Sequence, residues 1–232
     1  MSLPRRLRTA ILILLFWGIV SSELLSPAFG QDLQKLIRTI DEQQQKIQTV
    51  IADFSQVKET SFTREPLISS GLVKFKRPDR THWIYLKPEP LEIALDGKSL
   101  WLYIPGRSQA EKYSLARGKR IARYLEPLTA VFQKTFAQLA EEYTIGFEGI
   151  EADRLYHFRL QPREEKIQQV LSRVDLWIDK TSGAILRCKM LEFHRDQWSL
   201  EFKNLQINPP LTDDDLQIRI PPSVRVLEQS LP

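Results

Sequence analysis

A succession of short runs with strand-like alternation, separated by turn residues, constrains this chain more than any other feature of its sequence. Between Val50 and Ser55 every second residue is apolar and suited to burial. Alternation with a period of two is typical of strands that bury one face. Further strands are predicted at Gly71–Lys76, Trp83–Lys87, Glu92–Leu95, Leu100–Ile104, Tyr143–Glu148, Leu155–Gln161, Gln169–Ile178, Ile185–Glu192, Trp198–Ile207 and Gln217–Ile220. Together they predict about eleven strands, an order typical of an antiparallel sheet.

Two turn signals support hairpins within this order. Asp96-Gly97 lies between two predicted strands, and glycine tolerates the positive φ that a tight hairpin turn needs. A second turn is predicted at Lys180-Thr181-Ser182-Gly183, between two strands in the second half of the chain.

Two amphipathic helices interrupt the strands. The first is predicted to begin at Asp32, which is placed to cap it, and to end near Gln48. Its narrow apolar stripe, interrupted by Gln44, consists of Leu33, Ile37, Ile40, Ile47 and Ile51. The second lies between Gly118 and Glu142, where the apolar residues at helical spacing are Leu125, Leu128, Phe132, Phe136 and Leu139. The pattern predicts an α+β fold, an antiparallel sheet curled around helices.

The first thirty residues differ from the rest of the chain. Three arginines precede an apolar run over 10–20, which is too short to span a bilayer comfortably. Small residues at positions 28 and 30 suit a signal peptidase, so 1–30 is predicted to be a secretory signal peptide that is cut before Gln31. An uncleaved N-terminal anchor is the alternative with the same pattern. Residues 31–232 are predicted to form a single domain.

Charge argues against a nucleic-acid partner. Residues 1–30 hold three of the 33 Lys and Arg and one of the 29 Asp and Glu, which leaves 30 against 28 and a net charge of +2. Nucleic-acid-binding proteins usually concentrate positive charge, whereas acidic residues here are spread throughout. The single cysteine, Cys188, cannot form an internal disulfide and lies in an apolar segment, so it is predicted to be buried.

No motif in the sequence indicates catalysis or a bound metal. His82, His157 and His194 are far apart and lack partners at metal-ligand spacing. The sequence has no G-x-S-x-G turn, no glycine-rich phosphate loop and no dinucleotide fingerprint. The acidic run Asp213–Asp215 follows two prolines and is interpreted as a solvated turn. Neither an enzyme activity nor a cofactor or metal is predicted.

Aromatic residues are frequent in the predicted strands. They include Phe75, Trp83, Tyr85, Trp101, Tyr103, Trp177 and Trp198. A sheet that bends without closing tightly around its own side chains leaves a cavity. An apolar cavity in an exported protein suits a lipid.

A series of short motifs has a familiar order and spacing. The dense part runs through Phe54-x-Gln56, Gly71, Lys76-Arg77-Pro78, Trp83, Pro88, Asp96-Gly97-Lys98-x-Leu100-Trp101-x-Tyr103-x-Pro105 and Gln109. Near the C-terminus stands Ile218-x-Ile220-Pro221-Pro222-x-Val224-x-Val226. The series resembles the LolA-type family of periplasmic carriers of outer-membrane lipoproteins, whose domain ends in a strand similar to the C-terminal motif. The resemblance spans essentially all of 31–232, although between Lys112 and Leu216 it concerns architecture more than residues.

The resemblance implies an incomplete (half-closed) antiparallel β-barrel with the amphipathic helices as a lid. Lipoprotein acyl chains would enter the apolar space between sheet and lid. The residues expected to line this space are Phe54, Val73, Phe75, Trp83, Tyr85, Trp101, Leu125, Leu128, Phe132 and Phe136. In the family, the arginine of the Lys-Arg-Pro motif bonds to the lid helices and holds the carrier closed; that lid latch is here Arg77.

Alternation along the strand before this arginine separates the neighbouring cations. Val73, Phe75 and Arg77 are expected to share one face. Lys74 and Lys76 are expected on the other face, in solvent. Arg77 would then be the single cation beside the apolar residues.

The resemblance also implies partners and a location. The protein would be a periplasmic monomer that binds no nucleic acid and no cofactor. It would receive acylated lipoproteins at an inner-membrane ABC transporter and deliver them to an outer-membrane receptor or to the acceptor membrane.

One position departs from the family pattern, because members carry an aromatic residue two before the tryptophan, and this chain has Thr81 before Trp83. The departure puts in doubt a transporter-docking surface of the best-known form. Three other functions stay open: a carrier of another lipid or glycolipid, a periplasmic lipid-sensing regulator with a membrane partner and, with least support, a hydrolase.

Overall fold

A computed structural model of the chain describes residues 27–115, 134–193 and 196–229. The chain divides into two compact units, Met1–Leu36 and Ile37–Pro232, and the whole sheet belongs to the second. Most of the predicted signal peptide, residues 1–26, lies outside the described ranges. No helix within those ranges has the length and apolar character needed to cross a membrane.

Twelve strands form one sheet. They are β1 Thr49–Glu59, β2 Leu67–Lys76, β3 Arg80–Lys87, β4 Leu91–Asp96, β5 Ser99–Ile104, β6 Gln109–Ser114, β7 Tyr143–Glu151, β8 Leu155–Pro162, β9 Leu171–Asp179, β10 Ile185–Glu192, β11 Gln197–Ile207 and β12 Arg225–Gln229. Their spatial order is β12-β6-β5-β4-β3-β2-β1-β11-β10-β9-β8-β7. Neighbours pair antiparallel except for β12 and β6, which pair parallel.

The sheet is open rather than closed into a full barrel. Within the described residues, no ladder joins the two edge strands β7 and β12. β1 lies in the middle, between β2 and the sequence-distant β11, and a register shift between Ile51 and Asp53 adds local twist to the β1–β11 pair. The predicted fold class, an incomplete antiparallel barrel in an α+β protein, is confirmed.

Both predicted hairpin turns are confirmed. Gly97 has a φ of 84° between β4 and β5, and Gly183 has a φ of 72° between β9 and β10. Side chains rarely adopt this left-handed region, which explains glycine at both positions.

Within the described residues, three α-helices accompany the sheet. They are α1 Pro27–Gln45, α2 Phe136–Glu142 and α3 Glu165–Gln168. A capping box starts α2, because the Thr135 hydroxyl accepts from the Gln138 N–H while the Gln138 side chain accepts from the Thr135 N–H.

The helix bounds differ from the prediction. α1 begins at Pro27 and ends at Gln45, so Asp32 lies inside it rather than capping it, and Ile47 and Ile51 are not helical. Ile47 lies just beyond the helix and lines the same small cavity as Gln44 in the last turn of α1. Of the second predicted helix, the structure describes Phe136–Glu142, and Leu125, Leu128 and Phe132 lie outside the described residues.

The strand prediction misses two strands and adds one. β6 is polar in sequence, and its pairing with β5 and β12 makes it a strand and buries Ala110 completely. β12 is short and pairs on one side. The predicted strand Gln217–Ile220 does not form, since it runs into Pro221 and Pro222, which lack the N–H that a ladder needs.

Candidate functional site

Of the seven described residues that were expected to line an apolar space, five lie together on one face of the sheet, the inner face. Opposed residues of neighbouring strands point to the same side. The register aligns Phe54, Val73, Phe75 and Trp83 on this face, and all four are buried. Phe202 of β11 lies opposite Phe54 and continues the face across the centre of the sheet.

Phe54 lies at the centre of an aromatic cluster. Its ring meets Trp83 edge-on at 5.0 Å and Tyr85 edge-on at 4.9 Å between centroids, a geometry that adds to the gain from burial. The Tyr85 hydroxyl donates to Gln56 Oε1 at 3.0 Å, and burial raises the pKa of Tyr85 to about 12. Tyr85 thus joins the inner face with its polar tip hydrogen-bonded.

Gly71 permits this cluster. A Cβ at Gly71 would overlap the carbonyl oxygen of Ile84 and come within 3.0 Å of the Phe54 ring. The missing side chain therefore lets β3 and the Phe54 ring approach the backbone of β2.

α2 covers the other half of the inner face. Phe136 is fully buried and meets Phe158 of β8 edge-on, with 4.9 Å between centroids. Phe158 pairs with Leu176, Leu176 with Cys188 and Cys188 with Leu200, so these four residues lie on the inner face. Phe136 therefore lies on the inner side of the sheet.

Trp101 does not join this face, contrary to the prediction. In β5 it pairs with Ala94 and Lys112, while Leu100 occupies the inner position. The Trp101 Nε1 donates to Asp96 Oδ2 at 3.3 Å, and Lys112 Nζ lies 4.9 Å from the ring centroid. Aromatic content does not fix which residues of a strand point inward, and a shift of one residue reverses the answer.

Arg77 ties the end of β2 to the end of α1. Its Nε donates to the Ile47 carbonyl oxygen at 2.7 Å, and a terminal nitrogen donates to the Gln44 carbonyl oxygen at 3.0 Å. Its backbone N–H donates to the Gln48 carbonyl oxygen at 2.9 Å. Carbonyls at a helix C-terminus lack helical partners, and the planar guanidinium binds that of Gln44 in the last turn of α1 together with that of Ile47 just beyond the helix. Partial burial lowers the pKa of Arg77, yet arginine stays charged at neutral pH.

Two glutamines of α1 bind the β9–β10 turn. Gln43 Nε2 donates to the carbonyl oxygens of Lys180 and Thr181, both at 3.2 Å, and Gln44 Nε2 donates to that of Gly183 at 3.0 Å. A Cβ at Gly183 would lie 2.6 Å from the Gln43 Cβ, so the turn lies tightly against the helix. The bond to Gly183 explains why Gln44, which interrupts the apolar stripe, is buried.

Asn208 holds the chain that leaves α1. Its Oδ1 accepts from the Gln48 N–H at 2.7 Å, and its Nδ2 donates to the Lys46 carbonyl oxygen at 3.0 Å. Its backbone N–H donates to the Thr49 carbonyl oxygen at 2.8 Å. The end of β2, the β9–β10 turn and the end of β11 therefore converge on residues 43–49, the α1 clamp.

Asp41 connects α1 to α2. Its carboxylate accepts from the N–H groups of Phe136 at 2.6 Å and Ala137 at 3.2 Å. These N–H groups open α2 and have no helical partner. The two helices are thus joined to each other, and α1 is joined to the sheet at the α1 clamp.

A small cavity lies beside Arg77. It has a volume of about 30 Å³ and is lined mainly by Ile47, Val50, Phe75, Arg77, Ile185 and Leu205. This leaves room for about two water molecules, whereas ligand sites commonly have roughly 300–1,000 Å³. This cavity is therefore too small for a ligand of ordinary size.

The lysines of β2 lie on the outer face, as alternation predicts, but they are not free in solvent. Lys76 Nζ pairs with Asp213 Oδ1 at 2.7 Å, and Lys74 Nζ donates to the Asp215 carbonyl oxygen at 3.1 Å. The bond from Lys76 lowers the pKa of the Asp213 carboxyl. The acidic turn therefore fastens the C-terminal segment to the sheet.

Thr81 is fully buried opposite Phe75, so its side chain offers no surface to a partner.

The groups considered for catalysis have structural surroundings. His82 Nε2 lies 2.7 Å from Glu92 Oε2, His157 Nε2 lies 3.2 Å from Asp175 Oδ1, and His194 is outside the described residues. In the described part of the chain, no three His, Cys, Asp or Glu side chains are placed to share a metal ion. Cys188 is buried, as predicted, and burial raises the pKa of its thiol to about 12.

Sequence reasoning missed Asp41, Gln43, Gln44 and Asn208. A polar residue inside an apolar stripe was a usable signal for Gln44, because a buried amide needs a partner. No local signal marks Asp41 or Asn208, whose partners lie 95 and 160 positions away in the sequence.

An open antiparallel sheet with an apolar inner face beneath hydrogen-bonded helices defines a class, the half-barrel proteins with a covered apolar site. The family model described as outer membrane lipoprotein carrier protein LolA matches residues 45–219. The chain belongs to this LolA family, as the motifs predict.

Individual relatives agree with this assignment. The outer-membrane lipoprotein carrier protein of Albidiferax ferrireducens is 25% identical over 189 residues, which cover 79% of this chain and 86% of the relative. That of Methylococcus capsulatus is 26% identical over 218 residues, covering 94% and 95%. A crystal structure of an uncharacterized conserved protein from Thermus thermophilus matches with a TM-score of 0.55 at 14% identity, covering 85% of this chain and 99% of that one. The structural match supports the fold.

Proposed function

We propose that this protein is a periplasmic carrier that shields the acyl chains of lipoproteins and passes the lipoproteins from the inner to the outer membrane. The observation that carries the proposal is the pair of bonds from Arg77 to the α1 clamp, at Gln44 and Ile47, beside the apolar inner face. Helices held down by a few polar contacts at one end can be lifted and replaced reversibly. Membership of the LolA family supports lipoproteins as the cargo.

The free energy of shielding acyl chains from water and the free energy of opening the Arg77 contact both fit this arrangement. Three acyl chains with roughly 45 methylene groups would cost on the order of 30 kcal/mol to expose to water, at about 0.8 kcal/mol each. A hydrogen bond to a charged group contributes only about 1.5–3 kcal/mol. Apolar contact therefore supplies the attraction for cargo, and Arg77 supplies a latch weak enough to open when cargo enters.

The remaining roles follow the family. Residues 1–30 act as the signal peptide, and 31–232 act as the carrier domain. The protein works as a monomer without cofactor or enzyme activity. It receives lipoproteins from an inner-membrane ABC transporter and delivers them to an outer-membrane receptor or directly to the acceptor membrane.

The Arg77→Leu variant tests the proposal. It should still bind lipoprotein but release it at least about tenfold more slowly, because the closed arrangement loses more than the 1.4 kcal/mol that corresponds to a factor of ten. The measurement is transfer of a purified carrier–lipoprotein complex to outer-membrane vesicles.

Arg80→Leu is the matched control. Arg80 lies just beyond the same proline, and its guanidinium pairs with Asp213 at 3.3 Å, so transfer should stay normal. Normal release by Arg77→Leu would contradict the latch. Mass spectrometry that finds a glycolipid bound instead of lipoprotein would favour the other carrier function.

A further inference from the structure

The end of the sheet opposite Arg77 exposes large apolar side chains on the β1–β2 hairpin. Phe62 at the tip is 92% exposed, Leu67 is 54% exposed and Ile68 is 62% exposed. Single exposed apolar residues are ordinary on protein surfaces, whereas a group of them marks an interaction site. This group, with the loop that joins the strands, is the 60–68 tip.

Apolar residues of neighbouring strands surround the same end. Leu86, next to the last residue of β3, is 62% exposed, and Val170 and Phe193 are each 59% exposed. The Phe193 N–H donates to the Val170 carbonyl oxygen at 2.9 Å, which brings the α3–β9 and β10–β11 connections together. The Ser61 N–H donates to Asp196 Oδ1 at 2.9 Å and joins the tip to the β10–β11 connection.

At the tip β2 runs past the end of β3, whereas β11 stays paired with β1 as far as Glu59, and the extended part of β2 is apolar on both faces. β3 pairs with β2 only from Ser70 onward, so Leu67–Ser69 extend about 10 Å beyond the end of β3 at roughly 3.3 Å per residue. Leu67 and Ile68 are consecutive and so point to opposite faces of the strand. A flat protein surface would cover one side of such a ribbon. A fluid apolar medium surrounds both sides.

The charges around the tip are balanced and are compatible with the surface of a bilayer. Arg64 and Glu65 lie in the exposed loop, and Lys58 and Glu59 end β1, so opposite charges stand side by side. A mixed arrangement suits lipid headgroups, where long charged side chains keep their heads in water while apolar neighbours enter the acyl boundary.

The inner face continues to the tip. In the β1–β2 register, Phe54 pairs with Gly71 and Lys58 pairs with Leu67. Leu67 is four residues from Gly71 along β2, and residues an even number apart in a strand share a face. Leu67 therefore lies on the same side of β2 as the aromatic cluster. An acyl chain leaving the inner face at this end meets the tip first.

We propose that the 60–68 tip docks the protein on a phospholipid bilayer by placing Phe62, Leu67 and Ile68 at the boundary between headgroups and acyl chains. The inference rests on the proposed carrier function and adds the lipid surface at which that function takes place.

Site-specific labelling tests the docking. Cys188 is buried, so a polarity-sensitive fluorophore attached to the protein without its proposed signal peptide, residues 31–232, through Ile68→Cys or Ile150→Cys reports a single position. Ile150 is 49% exposed on the edge strand β7 and is the matched control. The probe is a vesicle of phosphatidylethanolamine and phosphatidylglycerol, with phosphatidylcholine vesicles in parallel. The signal should rise at position 68 and stay unchanged at position 150.

A binding measurement shows how much Phe62 and Ile68 contribute to the affinity for vesicles. Vesicle flotation should show at least about tenfold weaker binding for the double variant Phe62→Asp, Ile68→Asp, since each buried large apolar side chain contributes more than the 1.4 kcal/mol of a tenfold change. Ile150→Asp should bind as the unchanged protein does, and circular dichroism checks that each variant is folded.

Three results would overturn docking on lipid: no rise at position 68 with either vesicle, equal flotation of the variants, or a signal that needs a membrane protein in the vesicle. Retention of lipoprotein in solution separates the two proposals. Failed docking with intact retention removes the docking surface and leaves the carrier function, whereas intact docking without retention removes the carrier function.

Discussion

β1 and β2 run side by side through the sheet, and their two ends are built differently. At the end near Thr49 and Lys76 the α1 clamp joins helix and sheet through hydrogen bonds from Arg77 and its neighbours. At the other end the strands lead into the 60–68 tip, where apolar side chains are exposed. Directional bonds suit the proposed latch, which would open and re-form in one geometry, and apolar surface suits the proposed contact with a fluid bilayer.

Gly71 lies at the boundary between the exposed apolar end of β2 and its buried part, which leads to the α1 clamp. On β2 the four residues before it are exposed or half-buried, while Gly71, Val73 and Phe75 are buried. The difference between the ends thus begins at the position where Phe54 and β3 approach most closely.

The largest effect is expected from Gly71→Ala, which attacks this boundary. The new Cβ would overlap the Ile84 carbonyl oxygen, and such overpacking should lower the free energy of unfolding by about 3 kcal/mol. Urea denaturation measures the change. Gly106→Ala is the control because a Cβ there meets no atom within 4 Å, and it should leave the midpoint in place. Equal midpoints for both variants would show that β2 and β3 can move apart freely.

A smaller effect is expected from Gly183→Ala, which acts on the clamped end alone. Its φ of 72° disfavours a side chain by about 1–2 kcal/mol, and the added Cβ would press on Gln43. Amide exchange at residues 43–48 should become faster. Gly97→Ala carries a similar backbone cost, at a φ of 84°, and should leave exchange at 43–48 unchanged. If both variants change it equally, the turn does not hold α1.

The smallest effect is expected from Asp41→Ala, which separates the two helices without touching the sheet. Two N–H groups at the start of α2 lose their acceptor, a loss comparable to removal of a helix cap at about 1 kcal/mol. Exchange of the Phe136 and Ala137 amides should accelerate. Asp41→Asn keeps one acceptor oxygen and should lie between the variant and the unchanged protein. Unchanged exchange in Asp41→Ala would mean that Thr135 suffices as the cap.

Local patterns predicted the elements that local physics controls. Alternation at Val50–Ser55 and the turn at Asp96-Gly97 reflect neighbouring residues, and both were confirmed. β6 and β12 are strands because they pair with other strands, β6 with β5 and β12 and β12 with β6, and no short window of sequence contains these partners.

The site divides in the same way. Motif order located Arg77, and the structure adds the two carbonyl groups it binds, Ile47 and Gln44. The prediction that Trp101 lines the inner face was wrong, because its position in β5 places it on the outer face. A sequence motif identifies a residue without showing which face of the strand it occupies. The partners of Asp41 and Asn208 depend on the complete fold and could not be derived from either segment alone.

The position of β1 between β2 and β11 also sets when the protein can mature. Phe54 pairs with Gly71 on one side and with Phe202 on the other, so the middle of the inner face stays unfinished until nearly the whole chain is available. As the chain becomes available from its N-terminus, β2 to β6 can assemble while one edge of β1 waits for β11. A chain cut short before Gln197 would keep that edge exposed, open to misassociation and to proteases. Completion of the sheet and the ability to cover its apolar face are therefore reached in the same late step of biogenesis.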